Sequence, residues 1–174
     1  MNHDDLFKKV KADLFLSATK YESLLNVKIL FFNDGFINQK TYTARFYKEN
    51  FLHLTGVETP LPAKDFFEKC LANSIIESDI NDLENNYRKK ISGKLKSLKL
   101  IDEYFNQELE IQENFQRNTV SCIVATSDGI KTIGFVNTYP IIRPMTILDR
   151  NKLDKNKPVF TIKPIITKIK KSPR

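Results

Sequence analysis

From Thr119 to Ile166 the chain reads TVSCIVATSDGIKTIGFVNTYPIIRPMTILDRNKLDKNKPVFTIKPII, three or four β-rich stretches parted by Asp128-Gly129, Tyr139-Pro140 and a polar loop at Asn151 to Lys157. The opening residues follow a different period. In HDDLFKKVKADLFLSATKYESLL, Leu6, Val10, Leu14, Ala18 and then Tyr21 or Leu25 recur at steps of three and four, one apolar stripe on an amphipathic helix. Asp4 and Asp5 at its start complement the helix dipole. Helices first and closely spaced strands afterwards exclude the alternating β-α-β order of a parallel sheet, so the fold class is α+β with helices packed on an antiparallel sheet.

Between these two regions the signals are shorter. NVKILFFN reads as a strand closed by Asn33-Asp34-Gly35. QKTYTARFYKEN alternates, with Tyr42, Ala44 and Phe46 on one face and Thr41, Thr43, Arg45 and Tyr47 on the other, so the two pieces form a hairpin. FLHLTG fits either a continued strand or a helical turn capped by Asn50 and ended by Gly56. PLPAKDFFEKCLANSII opens a helix that buries Phe66, Phe67, Cys70 and Leu71. Ser78 is placed to cap the next helix, where Leu83, Tyr87 and Ile91 recur every four residues and Gly93 loosens or ends the run. KLKSLKLIDEYFNQELEI then gives a short helix and an irregular segment.

A chain of 174 residues with thirteen phenylalanines and six tyrosines supplies one core without a staple, so a single domain over residues 1–174 is expected. Cys70 and Cys122 lie far apart, without metal-ligand spacing, and read as reduced core thiols. The first residues lack the apolar block of a secretory signal, and no long uncharged apolar run follows; a soluble, cytoplasmic protein without membrane contact is expected.

The formal charge of +7 draws the chain to polyanions. It is concentrated: YRKKISGKLKSLKL, from Tyr87 to Leu100, holds six basic residues and no acid, and IKPIITKIKKSPR adds five more. Scattered glycines cannot build a phosphate-cradling loop or a dinucleotide fingerprint. With only His3 and His53, and no clustered cysteines, the usual zinc spacings are missing, and no GxSxG elbow is present. Glu103, Glu108 and Glu110 read as a solvated polar stretch rather than a magnesium site. No cofactor and no metal is expected.

What remains is the stretch NFLHLTG, Asn50 to Gly56, where His53 can be either a core histidine or a reacting group. With AKDFFEKCL (Ala63 to Leu71), and more softly GKLKSL (Gly93 to Leu98), KTIGF (Lys131 to Phe135) and PMTIL (Pro144 to Leu148), it resembles the phage-associated barnase–EndoU–colicin–RelE-like nuclease domains, fourth subgroup. The likeness covers roughly residues 25 to 168, leaving 1–24 as a helical extension and 169–174 as a frayed basic tail. It implies helices on one face of a four-stranded antiparallel sheet, here with an additional N-terminal helix and β-hairpin. It also implies metal-independent RNA cleavage, often by a toxin of a phage or mobile element.

Such cleavage uses the ribose 2′-hydroxyl against its own phosphate and leaves a 2′,3′-cyclic phosphate. It needs a base, an acid and fixed charge at phosphorus. His53 is the candidate base, and Lys94 and Arg143 the candidate phosphate stabilisers. Arg45, Arg88, Lys90 and Lys99 are candidate substrate-binding cations, and Thr55, Thr132 and Thr146 candidate hydroxyl donors. Each has a bland counterpart: a turn histidine, solvated lysines, arginines paired to surface carboxylates, ordinary strand threonines. The partners expected are RNA and an acidic inhibitor or antitoxin protein. A non-catalytic nucleic-acid-binding or protein-interaction module on the same scaffold is the alternative.

Overall fold

The computed structural model describes residues 1–170; residues 171–174, the larger part of the expected basic tail, lie outside the described residues. Helix α1 (His3–Glu22) begins where the Asn2 side chain accepts the Asp5 N–H at 2.8 Å, and it buries Leu6, Val10, Leu14, Ala18 and Tyr21, the stripe that the spacing predicts. Strands β1 (Val27–Phe32) and β2 (Thr41–Arg45) form the expected hairpin, with Leu30 opposite Thr43. Helices α2 (Lys48–Thr55) and α3 (Ala63–Leu71) follow, then α4 (Leu83–Asn86), α5 (Ser92–Leu98) and α6 (Ile101–Tyr104). Strands β3 (Leu109–Arg117), β4 (Val120–Ser127), β5 (Lys131–Thr138) and β6 (Ile141–Asp149) make an antiparallel meander. The short strands β7 (Phe160–Ile162) and β8 (Ile165–Lys168) complete the chain.

Among the described residues the sheet has eight strands in the order β7-β3-β4-β5-β6-β2-β1-β8, not the four expected. The hairpin is not an appendage but part of this sheet, joined to β6 in parallel at Ala44 and Ile142. Strand β3 begins inside the stretch that reads as irregular and runs on past it, where polar Gln112 and Glu113 are buried and satisfied by distant partners rather than by a local pattern. The β1–β2 connection reaches the opposite edge: the Phe36 ring meets Phe160 edge-on at 5.3 Å, and Glu113 on β3 accepts the Asn38 N–H at 3.0 Å and the Tyr42 hydroxyl. The sheet is therefore curled, its two ends drawn together.

Two local expectations need correction. Ser78 lies inside a single 3₁₀ turn, Glu77–Asp79, and the next helix starts after Asp82. Of the two outcomes expected at Gly93, ending the basic helix is overturned, because α4 continues into α5 through a π turn, Tyr87–Ile91. The cause is visible in the spacing of Leu83, Tyr87, Ile91 and Leu95. A repeat of four drifts about 40° per step around an α-helix, and a wider turn takes up that drift.

The main core joins the helices to one sheet face through aromatic contacts. Tyr21 touches Phe46, Phe51 and Phe67 at 5.3–5.7 Å, and Phe46 in turn meets Phe105 at 5.6 Å and Phe135 at 6.2 Å. A smaller cluster gathers Phe115, Cys122, Ala125 and Leu153. Both cysteines are buried and free. Gly134 sits where no side chain fits, since an added Cβ would lie 2.5 Å from Cys122 Sγ and 3.1 Å from Thr146 Cγ2. Gly134→Ala is expected to lower unfolding stability by about 1–3 kcal/mol through overpacking. Cys122→Ala in the same chain should recover part of that loss. Strictly additive effects in urea denaturation would show that the two positions do not collide.

Candidate functional site

The signature stretch is a helix, and each of its residues has a task. The Asn50 side chain accepts the Tyr47 N–H at 3.1 Å, and the buried Tyr21 hydroxyl donates to the Tyr47 carbonyl at 2.7 Å, fixing the point where extended chain becomes α2. Burial pushes the Tyr21 phenol far above its ordinary range, so it stays a donor. Phe51 and Leu54 enter the core. Thr55 closes the C-terminus, donating from Oγ1 to the Leu52 carbonyl at 2.8 Å and accepting the Val57 N–H at 3.1 Å. Gly56 follows with φ +72°, the left-handed C-cap. Helical rotation turns His53 away from both Phe51 and Leu54, and it is exposed.

His53 lines an open cleft of about 480 Å³ with Leu52, Gly56, Glu58, Lys90 and Lys94. One wall is the end of α2; the other is the π turn and α5, which supply Lys90 and Lys94. The walls meet at Gly56, where a Cβ would fall 2.9 Å from Lys94 Cδ and 3.3 Å from Lys90 Cβ. Glycine is thus required twice, for its backbone angle and for this approach. Lys90 pairs with Glu58 at 3.0 Å. Lys94 is different: its Nζ donates to Thr146 Oγ1 at 3.3 Å, and among the described residues it makes no ion pair. Burial lowers its pKa from the ordinary lysine value.

A second group lies at the start of α2. The parallel match of Ala44 with Ile142 sets Arg45 and Arg143 side by side on neighbouring strands, turned away from the core that receives Ala44 and Ile142. Both guanidinium carbons stand over the Tyr47 ring, Arg143 at 4.3 Å and Arg45 at 5.3 Å from its centre. Among the described residues neither arginine forms a salt bridge, and the Nε of each is buried without a hydrogen-bond partner. An unpartnered buried donor of this kind costs about 1–3 kcal/mol.

Residues 13–173 match the family described as phage-Barnase-EndoU-ColicinE5/D-RelE like nuclease 4. The chain belongs to this nuclease family. Neither a curated protein nor a solved structure matches it. The match takes in the second half of α1, all of α2 and every strand of the sheet. Membership in this nuclease family makes nucleic acid the substrate class.

Of the residues singled out in sequence, the fold brings His53, Lys90 and Lys94 into one cleft, with Thr146 at its lysine, and puts Arg45 beside Arg143. The others stand elsewhere. Thr55 is consumed by the helix cap, and Thr132 is buried with its Oγ1 bonded to the Arg150 carbonyl and the Lys152 N–H, each at 2.9 Å. Lys99 pairs with Asp13 at 2.9 Å, and Arg88 lines a separate cleft with His3, Leu6 and Tyr87. Sequence reasoning missed Tyr47 and Glu58. The outward alternation of Tyr47 with Arg45 was the available signal for the first; nothing local marks the second. Among the described residues no three His, Cys, Asp or Glu side chains converge as metal ligands, and no helix is long and apolar enough to cross a membrane.

A lysine with a depressed pKa holds its proton less tightly folded than unfolded, so the charge opposes folding at every pH below the folded value. That penalty fades only as pH climbs toward 10.5. Lys94→Met is therefore expected to melt higher than the parent at neutral pH, with the advantage shrinking under alkaline conditions. A lower melting point at neutral pH would mean that the Thr146 contact outweighs desolvation.

Proposed function

We propose that this chain is a metal-independent endoribonuclease, toxin-like and carried by a phage or mobile element, that cuts RNA by 2′-hydroxyl attack on the adjacent phosphate. One observation carries the reading: an exposed imidazole shares a cleft with a largely buried lysine that no carboxylate among the described residues neutralises. Histidine ordinarily titrates near neutral pH, which suits the transfer of the 2′ proton. As His53 takes that proton, the 2′ oxygen bonds to phosphorus and the bond to the 5′ oxygen breaks. The products are a 2′,3′-cyclic phosphate and a 5′-hydroxyl.

Lys94 supplies the charge at phosphorus. A preorganised cation in a partly dry site acts most strongly where negative charge develops, and Thr146 holds this one in place. The lowered pKa also makes Lys94 a better proton donor to the departing oxygen than a solvated lysine. Arg143 does not line the cleft, so the reading rests the chemistry on His53 and Lys94. Residues 1–174 act as one domain in this account, with α1 covering the helices that build the cleft. A cytoplasmic setting and an acidic inhibitor protein both fit a net charge of +7.

A second reading, a nucleic-acid-binding module without catalysis, is favoured by the paired arginines, which need no chemistry to hold a phosphate. The two separate in one assay. End-labelled RNA incubated with purified protein in EDTA should yield cyclic-phosphate ends, and His53→Ala should slow cleavage by about 10²- to 10⁴-fold. Its melting temperature should hold, because the ring is exposed. Cleavage that requires added magnesium, or a His53→Ala protein as fast as the parent, sinks the mechanism.

A further inference from the structure

The arginine pair is part of a longer row. Lys28 on β1 is the direct cross-strand partner of Arg45, and Arg45 neighbours Arg143 through the parallel match of Ala44 with Ile142. The alternation places all three on the sheet face turned from the main core, since Ile29, Ala44 and Ile142 between them are buried. Three cations thus cross three adjacent strands, each step being one strand spacing of about 4.8 Å. Among the described residues none of them is paired with a carboxylate. By contrast Lys20, Lys48, Lys69, Lys90, Lys99 and Lys131 each find an acid.

We propose that Lys28, Arg45 and Arg143, with Tyr47 as the platform of the two arginines, form a phosphate-binding subsite for the backbone of single-stranded nucleic acid, separate from the His53 cleft. Like charges side by side on neighbouring strands repel. The two arginines are held against that repulsion by stacking over the Tyr47 ring, which fixes the planes of their forks. Only the Nε of each fork is buried; the terminal nitrogens reach solvent and make no hydrogen bond among the described residues, so they are the donors that a phosphate docking in bidentate fashion would engage. Phe32, two positions beyond Leu30 on the same alternation as Lys28 and 48% exposed, adds an aromatic surface that a base can stack on. Placement links the row to the cleft, because Tyr47 caps the N-terminus of the helix that carries His53. A strand held on the row can therefore extend toward the imidazole. The identity of the polyanion rests on the nuclease reading; the site itself rests on geometry.

The test is binding, measured by fluorescence anisotropy with a labelled oligodeoxythymidylate, which lacks the 2′-hydroxyl and cannot be cut by the proposed route. Arg45→Gln and Arg143→Gln should each weaken affinity about tenfold, the scale of a lost charge-assisted hydrogen bond. Each should also reduce the slope of log affinity against log salt by about 0.7. Lys8→Gln, which removes the same charge from an exposed position on α1, should leave affinity near that of the parent. Arg143→Lys should keep the salt slope while losing affinity, because the charge remains and the fork does not. Relief of the like-charge contact predicts that the glutamine variants melt no lower than the parent. Affinity unchanged in both glutamine variants, an equal loss in Lys8→Gln, or a marked fall in melting point would each overturn the subsite. A parent protein that binds the probe and never cuts RNA would end the catalytic reading and leave this one standing.

Discussion

The architecture hangs on a short contact. Strand β2 meets β6 at Ala44 and Ile142, ends at Arg45, and the chain begins α2 at Lys48. That parting aligns Arg45 with Arg143, brings Tyr47 to their guanidiniums and lays α2 over β6. It also uncovers the stretch of β6 where Thr146 receives Lys94 from α5. So brief a parallel pairing contributes little by itself. It is held by the aromatic packing of Phe46 and Phe51 against Tyr21, and by the hydroxyl that Tyr21 sends to the first turn of α2. Helix α1, whose matched portion begins only at residue 13, is in this sense what keeps the strand-to-helix junction in place.

Charge is distributed by a simple division. Several lysines on the helices are tied to an acid, among them Lys69 to Asp79, and on the sheet Lys131 forms a largely buried pair with Asp128. The side chains left without such a partner among the described residues include Lys94, Arg45 and Arg143, and each of these is partly sunk in the fold. Uncompensated buried charge opposes folding. Proteins accept such strain where activity or binding requires it, and the two concentrations of it lie near the two ends of one short helix, α2.

Much of this was legible from residues. The helical stripe of α1, the hairpin and the late strands follow from periodicity, whereas the NFLHLTG run leaves strand and helix open, and only the contacts of Asn50, Thr55 and Gly56 at the ends of α2 decide for the helix. The eight-stranded sheet was not legible, because the joining of β2 to β6 and the burial of Glu113 under the β1–β2 loop are contacts between distant segments. The threonines illustrate the same limit. Thr55, Thr132 and Thr146 are alike in sequence, yet one caps a helix, one braces a loop and one steadies a lysine. Lys99 and Lys94 share a basic run, and only the approach of Asp13 tells them apart.

Gly56 carries one more implication. The two walls of the cleft touch there through main chain and the stems of Lys90 and Lys94, with the Lys90 carbonyl carbon 3.4 Å from where a Cβ would stand. A joint with no rotamers on one side has little slack. Imidazole and ammonium are then jaws mounted on a common pivot, their gape set by two backbones rather than by the wandering of a hinge side chain.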